Sequence, residues 1–202
     1  MFPLVLILKD SRYGGFKMEE YISEHIDVVS KIEYEPIQKT VDYIVKALEN
    51  GNKIFIFGNG GSAADAQHFA AEMAGRFKME RDALQFIALT TNTSIITAIA
   101  NDYSFDYIFS RQIEGLAIDG DIAIGISTSG NSLNVKIGLE TAQQMGCNTI
   151  AFLGESEGII GPICNYIIQV PSKNTARIQE AHILIIHMIC EEVEKKLFGE
   201  VE

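Results

Sequence analysis

Four hydroxyl side chains, Ser127, Thr128, Ser129 and Ser132, crowd into six residues of the stretch Gly125-Ile126-Ser127-Thr128-Ser129-Gly130-Asn131-Ser132. The stretch follows the apolar run Ile122-Ala123-Ile124, which reads as a buried parallel strand. It precedes Leu133 to Met145, whose length and apolar spacing are those of a helix. Unpaired backbone N–H groups and the positive end of a helix dipole meet at such a junction and favour an anion. Hydroxyls add donors there without adding charge, which suits a phosphate monoester. An ordinary polar turn with a serine cap needs one hydroxyl rather than four.

A second loop has the same form. Lys53-Ile54-Phe55-Ile56-Phe57 reads as a strand that runs into Gly58-Asn59-Gly60-Gly61-Ser62 and then into a helix from Ala63 to Phe77. Glycines let the backbone approach a ligand closely, and Ser62 is a candidate N-cap. The loop lacks the lysine of a nucleotide P-loop and the spacing of the dinucleotide fingerprint, so neither ATP nor NAD is indicated. Together the two loops predict strand ends that converge on one small phosphorylated ligand.

Titratable residues lie on the helices that follow. His68 and Glu72 are at i and i+4 and share a helix face; such a pair is either functional or a solvated polar pair. Gln179 and His187, eight residues apart, lie within one broad face of the last helix. His187 sits inside the apolar run Ile183 to Ile189, where a core histidine with a satisfied hydrogen bond is the plainer reading. Asn101-Asp102 closes a helix and is explained equally well as a C-terminal turn.

The elements that must position these groups follow from the apolar pattern. Residues 19–50 carry a long amphipathic helical pattern that Pro36 is expected to break or kink. After Gly51, strands at 53–57, 85–89, 121–125, 148–153 and 166–170 alternate with helices at 62–76, 92–100, 106–117, 132–145, 157–163 and 175–198. That alternation predicts an α/β fold, a doubly wound five-stranded parallel sheet flanked by helices, with right-handed crossovers and an N-terminal helical segment. The last helix is apolar nearly all round in its middle, which predicts burial at a subunit interface.

Composition narrows the partners. A chain of 202 residues with 47% hydrophobic and 21% charged residues fits one soluble domain with a sizeable core. A net charge of −11 argues against non-specific nucleic-acid binding. Cys147, Cys164 and Cys190 are an odd count without metal spacing, as expected of reduced thiols in the cytoplasm. The apolar segment Phe2 to Leu8 is too short to span a bilayer and has no basic region before it, so neither a membrane anchor nor a signal peptide is expected. Gly14-Gly15-Phe16-Lys17-Met18 back-translates to permit a GGAGG ribosome-binding sequence shortly before the Met18 codon. Residues 1–17 are therefore expected to be a non-native or disordered extension, with residues 18–202 forming the single domain.

The two loops, with Asp65-Ala66-Gln67-His68-Phe69, Glu72, Ala100-Asn101-Asp102 and Arg177-Ile178-Gln179-Glu180, resemble the sugar isomerase (SIS) domain family, and within it the phosphoheptose isomerases, over about residues 19–198. The resemblance implies the SIS fold and an aldose–ketose isomerase that interconverts sedoheptulose 7-phosphate and D-glycero-D-manno-heptose 7-phosphate through an enediol, for lipopolysaccharide or capsule. It implies a zinc site of His68, Glu72, Gln179 and His187, with Glu72 and His187 as the proton-transfer pair. It places substrate at Asn59, Gly60, Gly61, Ser62, Glu72, Asn101, Asp102, Ser127, Thr128, Ser129, Ser132 and Gln179. It further implies a homotetramer with active sites shared between subunits. One departure stands out: Ala176 occupies a position that is acidic in some members of the family.

Three rivals share the fold. A non-enzymatic replication-initiator-binding relative lacks the Glu and second His and carries Arg inside the Ser-Thr-Ser loop, whereas this chain has Glu72, His187 and Ser129. A regulatory SIS domain that binds phosphosugar without turnover is disfavoured by the same Glu–His pair. An isomerase of another phosphosugar is not separated by these motifs.

Overall fold

The computed structural model describes residues 17–199. The expectation for residues 1–17 falls, but for Lys17, outside them. Two helices open the chain, α1 (Met18–Val29) and α2 (Tyr34–Glu49). The break between them is the turn at residues 30–33, and Pro36 sits inside the first turn of α2. A proline there costs nothing, because first-turn N–H groups have no intrahelical acceptor.

The remainder is β1 (Ile54–Gly58), α3 (Gly61–Ala74), β2 (Phe86–Ala88), α4 (Thr93–Asp102), α5 (Ser110–Leu116), β3 (Ile122–Ser127), α6 (Leu133–Gln144), β4 (Asn148–Leu153), β5 (Tyr166–Gln169) and α7 (Thr175–Phe198). The five strands are all parallel, in the order β2-β1-β3-β4-β5. The fold is therefore the doubly wound α/β sheet that the apolar runs predict. Two helical predictions need correction. Residues 106–117 divide into a 3-10 turn at Phe105–Tyr107 and the short α5. Residues 157–163 hold only a 3-10 turn at Gly161–Ile163, because Gly158 has φ +55° and Ile160 N–H is drawn to Gly130 O at 3.1 Å.

β1 and β3 are buried along their whole length, so their side chains alternate between two cores rather than between core and water. Ile54 and Ile56 face the layer of α1, α2, α3 and α7. Phe55 and Phe57 face α5 and α6, where Phe57 lies 5.0 Å from Phe109. Each fully buried aromatic side chain contributes roughly 2–3 kcal/mol of transfer free energy. The apolar middle of α7 is covered within the chain: Ile185, Ile186 and Ile189 are buried against α2 and α3. Leu184, in the same apolar run, remains exposed.

The strand order places the site. The chain moves outward from β1 to β2, then returns to lay β3 on the other side of β1. Ligands of such sheets bind beyond the carboxyl ends of the strands at this reversal. The two loops singled out above follow β1 and β3, and Gly58 is paired in register with Ile126.

Candidate active site

The Gly-rich loop needs its glycines for two reasons. Gly60 has φ +57° and ψ −121°, a conformation that residues with a Cβ avoid. A Cβ at Gly58 would stand 2.8 Å from Ile126 O and 2.8 Å from Ser62 Cβ, so only glycine lets β1 turn into α3 this tightly. Ser62 does not cap the helix. α3 begins at Gly61, Gly60 holds the cap position, and Ser62 is buried in the first turn. Asn59 is locked to the start of α6 by a reciprocal amide pair: its Nδ2 donates to Asn134 Oδ1 at 2.8 Å and its Oδ1 accepts from Asn134 Nδ2 at 2.9 Å. Asn134 was not apparent from the sequence, where nothing distinguishes it from any polar residue in the first turn of a helix.

The hydroxyl loop is braced from behind. Gly130 has φ +69°, and a Cβ on it would clash with Glu157 O at 2.6 Å. Ser127 and Ser132 hydroxyls lie 3.0 Å apart, so Ser132, at the N-cap position of α6, faces Ser127 instead of capping the helix. Ser129 is exposed and Thr128 half-buried. Ser129 Oγ accepts the Asn131 N–H at 3.2 Å, which keeps the loop closed over the strand end. The first turn of α6 thus presents donors to whatever lies in the crevice.

α3 and α7 pack against each other beside this crevice and bring three of the predicted ligands together. His68 Nε2 is 3.0 Å from Glu72 Oε1 and 3.3 Å from His187 Nε2. One ligand atom from each of the three residues lies within 4.8 Å of the others. Two imidazole nitrogens and a carboxylate form an ordinary zinc donor set, and two ligands at zinc–nitrogen distance in a tetrahedral shell stand about 3.3 Å apart. The donor set and spacing fit a zinc ion. Gln179 lies on the same helix, two turns before His187, and packs on the Gly-rich loop: a Cβ at Gly61 would fall 2.8 Å from Gln179 Cδ.

Asn101 and Asp102 occupy the last turn of α4, exposed, with Asn101 Nδ2 donating to Asp102 Oδ1 at 2.8 Å. Among the described residues their side chains bond only to each other. Gln67 donates to Thr90 O at 3.2 Å. Among the described residues the buried Asp65 Oδ2 has no hydrogen-bond partner, and burial pushes its carboxyl up to about 6 against the pull of His68. Arg177 is buried, donating to Tyr21 O at 2.7 Å and to Glu180 Oε1 at 2.6 Å. His25 pairs with Glu180 Oε2 at 2.8 Å, and His182 is a core histidine on Leu153 O at 3.1 Å. A hollow of about 200 Å³ beside β5, lined by Lys31, Pro36, Glu155, Gln169 and Pro171, shares no residue with the site.

The SIS domain model matches residues 19–154, which include both loops, His68 and Glu72. The chain belongs to the SIS domain family. Within that family it is 53% identical over 185 residues to the phosphoheptose isomerase of Citrifermentans bemidjiense, covering 90% of this chain and 96% of that one. Two solved structures agree. A phosphoheptose isomerase from Neisseria gonorrhoeae superposes with a TM-score of 0.83 at 42% identity, over 88% of this chain and 97% of the other. One from Francisella tularensis gives 0.85 at 35% identity, over 88% and 96%. This SIS protein is thus a member of the phosphoheptose isomerases and an isomerase enzyme. No helix among its described residues is long and apolar enough to cross a membrane.

Proposed function

We propose that the enzyme interconverts sedoheptulose 7-phosphate and D-glycero-D-manno-heptose 7-phosphate through an enediol. The observation that carries this reading is the convergence of His68 and Glu72, on the helix opened by the Gly-rich loop, with His187 of α7. Aldose–ketose isomerisation moves one proton between C1 and C2 and another between O1 and O2. Glu72 carries the first, because a carboxylate can reach both carbons from one side. His187 carries the second, since an imidazole both accepts and donates near neutral pH. Ser127, Thr128, Ser129, Ser132 and the backbone of Asn59, Gly60, Gly61 and Ser62 hold the phosphate. His68, Glu72, His187 and, more weakly, Gln179 would hold zinc, which when bound supplies polarisation of the carbonyl and stabilisation of the enediolate.

We further propose a homotetramer whose sites are completed across subunits. α4 buries none of its residues although it carries Ile95 and Ile96, and α1 exposes Met18, Tyr21, Ile22 and Ile26. Apolar surface of this kind supports association. Asn101 and Asp102 of α4 would then face the sugar hydroxyls of a neighbouring site. The product would feed nucleotide-activated heptose for lipopolysaccharide or capsule in the cytoplasm.

The test is purified protein with sedoheptulose 7-phosphate, followed by NMR for aldose signals. Aldose formation is the expected result. Binding without any product would turn the assignment toward a phosphosugar-binding module. Turnover of a shorter phosphoketose alone would move it to another phosphosugar.

A further inference from the structure

We propose that Phe77 is a positioning residue for His187, held in place by a buried Glu194–Arg81 pair that also fixes the end of the Glu72 helix. The proposal rests on the isomerase reading above for its kinetic consequence and on geometry alone for its placement.

α3 ends at Ala74 and the chain turns back on itself through residues 75–81. Two charged side chains in this region, Arg81 and Glu194, are each only 1% exposed. Glu194 lies seven residues beyond His187, two turns along α7 and therefore on the same side of the helix. Its carboxylate accepts three consecutive backbone N–H groups, from Phe77 at 3.0 Å, Lys78 at 2.9 Å and Met79 at 3.1 Å. Arg81 Nε completes the set at 2.9 Å. Burial alone would raise this carboxyl; the three amides and the guanidinium hold it below the ordinary glutamate value. The remaining Arg81 donors close the C-terminus of α3, reaching the carbonyls of Met73 at 2.9 Å and of Glu72 itself at 3.1 Å. A buried pair with its donors and acceptors engaged in this way is rigid, and removing either partner leaves a stranded charge.

The consequence falls on His187. With its backbone pinned by Glu194, Phe77 lays its ring on the imidazole at 5.6 Å between centroids and 23° between planes. The His68 ring meets the same imidazole edge-on, at 5.0 Å and 66°. Lys78 Nζ stands 5.6 Å from the Phe77 centroid and is itself held by Glu191 at 2.6 Å. His187 is thus confined between a flat aromatic face and the edge of His68. A ring free to swing about its Cα–Cβ and Cβ–Cγ bonds would carry Nε2 away from Glu72. Proton transfer is sensitive to displacements of that size.

Removing Glu194 or Arg81 risks the fold, so the test uses Phe77. Phe77→Leu keeps an apolar side chain and removes the flat face; Phe77→Tyr keeps it. Both proteins should show cooperative unfolding and the wild-type circular dichroism spectrum. Phe77→Leu should lower kcat for sedoheptulose 7-phosphate about tenfold with KM within about twofold, and Phe77→Tyr should restore kcat. Independently of activity, ¹³C-labelled histidine NMR should show the His187 ring signals displaced in Phe77→Leu, because the aromatic ring current is lost, and returned in Phe77→Tyr. A folded Phe77→Leu with wild-type kcat, or a loss that Phe77→Tyr does not restore, overturns the proposal. If the wild-type protein does not turn over the substrate, the isomerase reading is what fails. The histidine spectrum then decides the placement: displaced signals support it and unmoved signals overturn it.

Discussion

The Nε2 atoms of His68 and His187 stand 3.3 Å apart although 119 positions separate them in the chain. One residue comes from the helix opened by the Gly-rich loop and the other from the last helix, so the pair exists only because α3 packs on α7. Two unlinked imidazole nitrogens at that distance, with the Glu72 carboxylate beside one of them, ask for a proton or a metal ion between them.

Zinc should therefore follow these residues. His187→Gln is expected to lower both zinc content and turnover, since it would remove a proposed ligand and the proposed oxygen-side proton carrier. His68→Gln should lower zinc while leaving part of the activity, because the Glu72–His187 pair remains. Metal analysis by plasma mass spectrometry beside kinetics reads both effects. Unchanged zinc in both variants, with full activity after chelation of the wild type, would remove the metal site.

Ser129→Arg should weaken substrate binding. Ser129 is exposed at the tip of the hydroxyl loop, so a long side chain can be accommodated without disturbing the core but would fill the proposed phosphate cradle. KM should rise about tenfold or more, the value of one to two lost charge-assisted hydrogen bonds, while gel filtration shows the wild-type size. A wild-type KM places the phosphate elsewhere.

Much of this arrangement could be read before any coordinates. Strands buried on both faces are continuous apolar runs, which is why β1, β3 and β4 stand out, and the loops after β1 and β3 carry their chemistry in plain view. The His68–Glu72 spacing also shows a shared face. His187 is different: in the sequence it is one polar residue in an apolar run, and only the resemblance distinguished it from a core histidine such as His182. Local pattern failed where tertiary contacts decide, as at residues 157–163, where Gly158 and the bond to Gly130 prevent a helix, and at Ser62, displaced from the cap by Gly60. Asn134 left no signal. Glu194 has a faint one: it is an acidic residue at i+4 from buried Cys190, on the inward face of α7.

Gly61→Ala separates packing from function. The added methyl would meet the end of the Gln179 side chain, which can swing away, rather than backbone. Stability should change by less than about 1 kcal/mol, since alanine is also the better helix former. The displaced Gln179 should lower kcat/KM about tenfold. Urea unfolding and kinetics on the same preparation check this; unchanged kcat/KM would deny Gln179 a role at the site.

His182 predicts a pH dependence of stability. Burial lowers its pKa to about 4, although the bond to Leu153 O works in the opposite direction. The unfolded chain therefore binds a proton near pH 6.5 that the folded chain refuses until about pH 4. Above pH 7 the residue contributes no pH dependence; as pH falls from about 7 to 4 it removes stability, on the order of 3 kcal/mol in full. Urea unfolding of the wild type and His182→Asn at pH 7.5 and 5 isolates this effect. The gap between them should narrow at the lower pH, and an equal gap at both would contradict the assignment.

Glu72→Gln tests the central claim most directly. The amide keeps the shape of the side chain and removes the basic carboxylate. Aldose formation from sedoheptulose 7-phosphate should be followed by NMR for the variant and the wild type side by side. Turnover is predicted to fall on the order of 100-fold or more with the cooperative unfolding transition preserved. A folded variant that forms aldose at near wild-type rate would contradict proton transfer by Glu72.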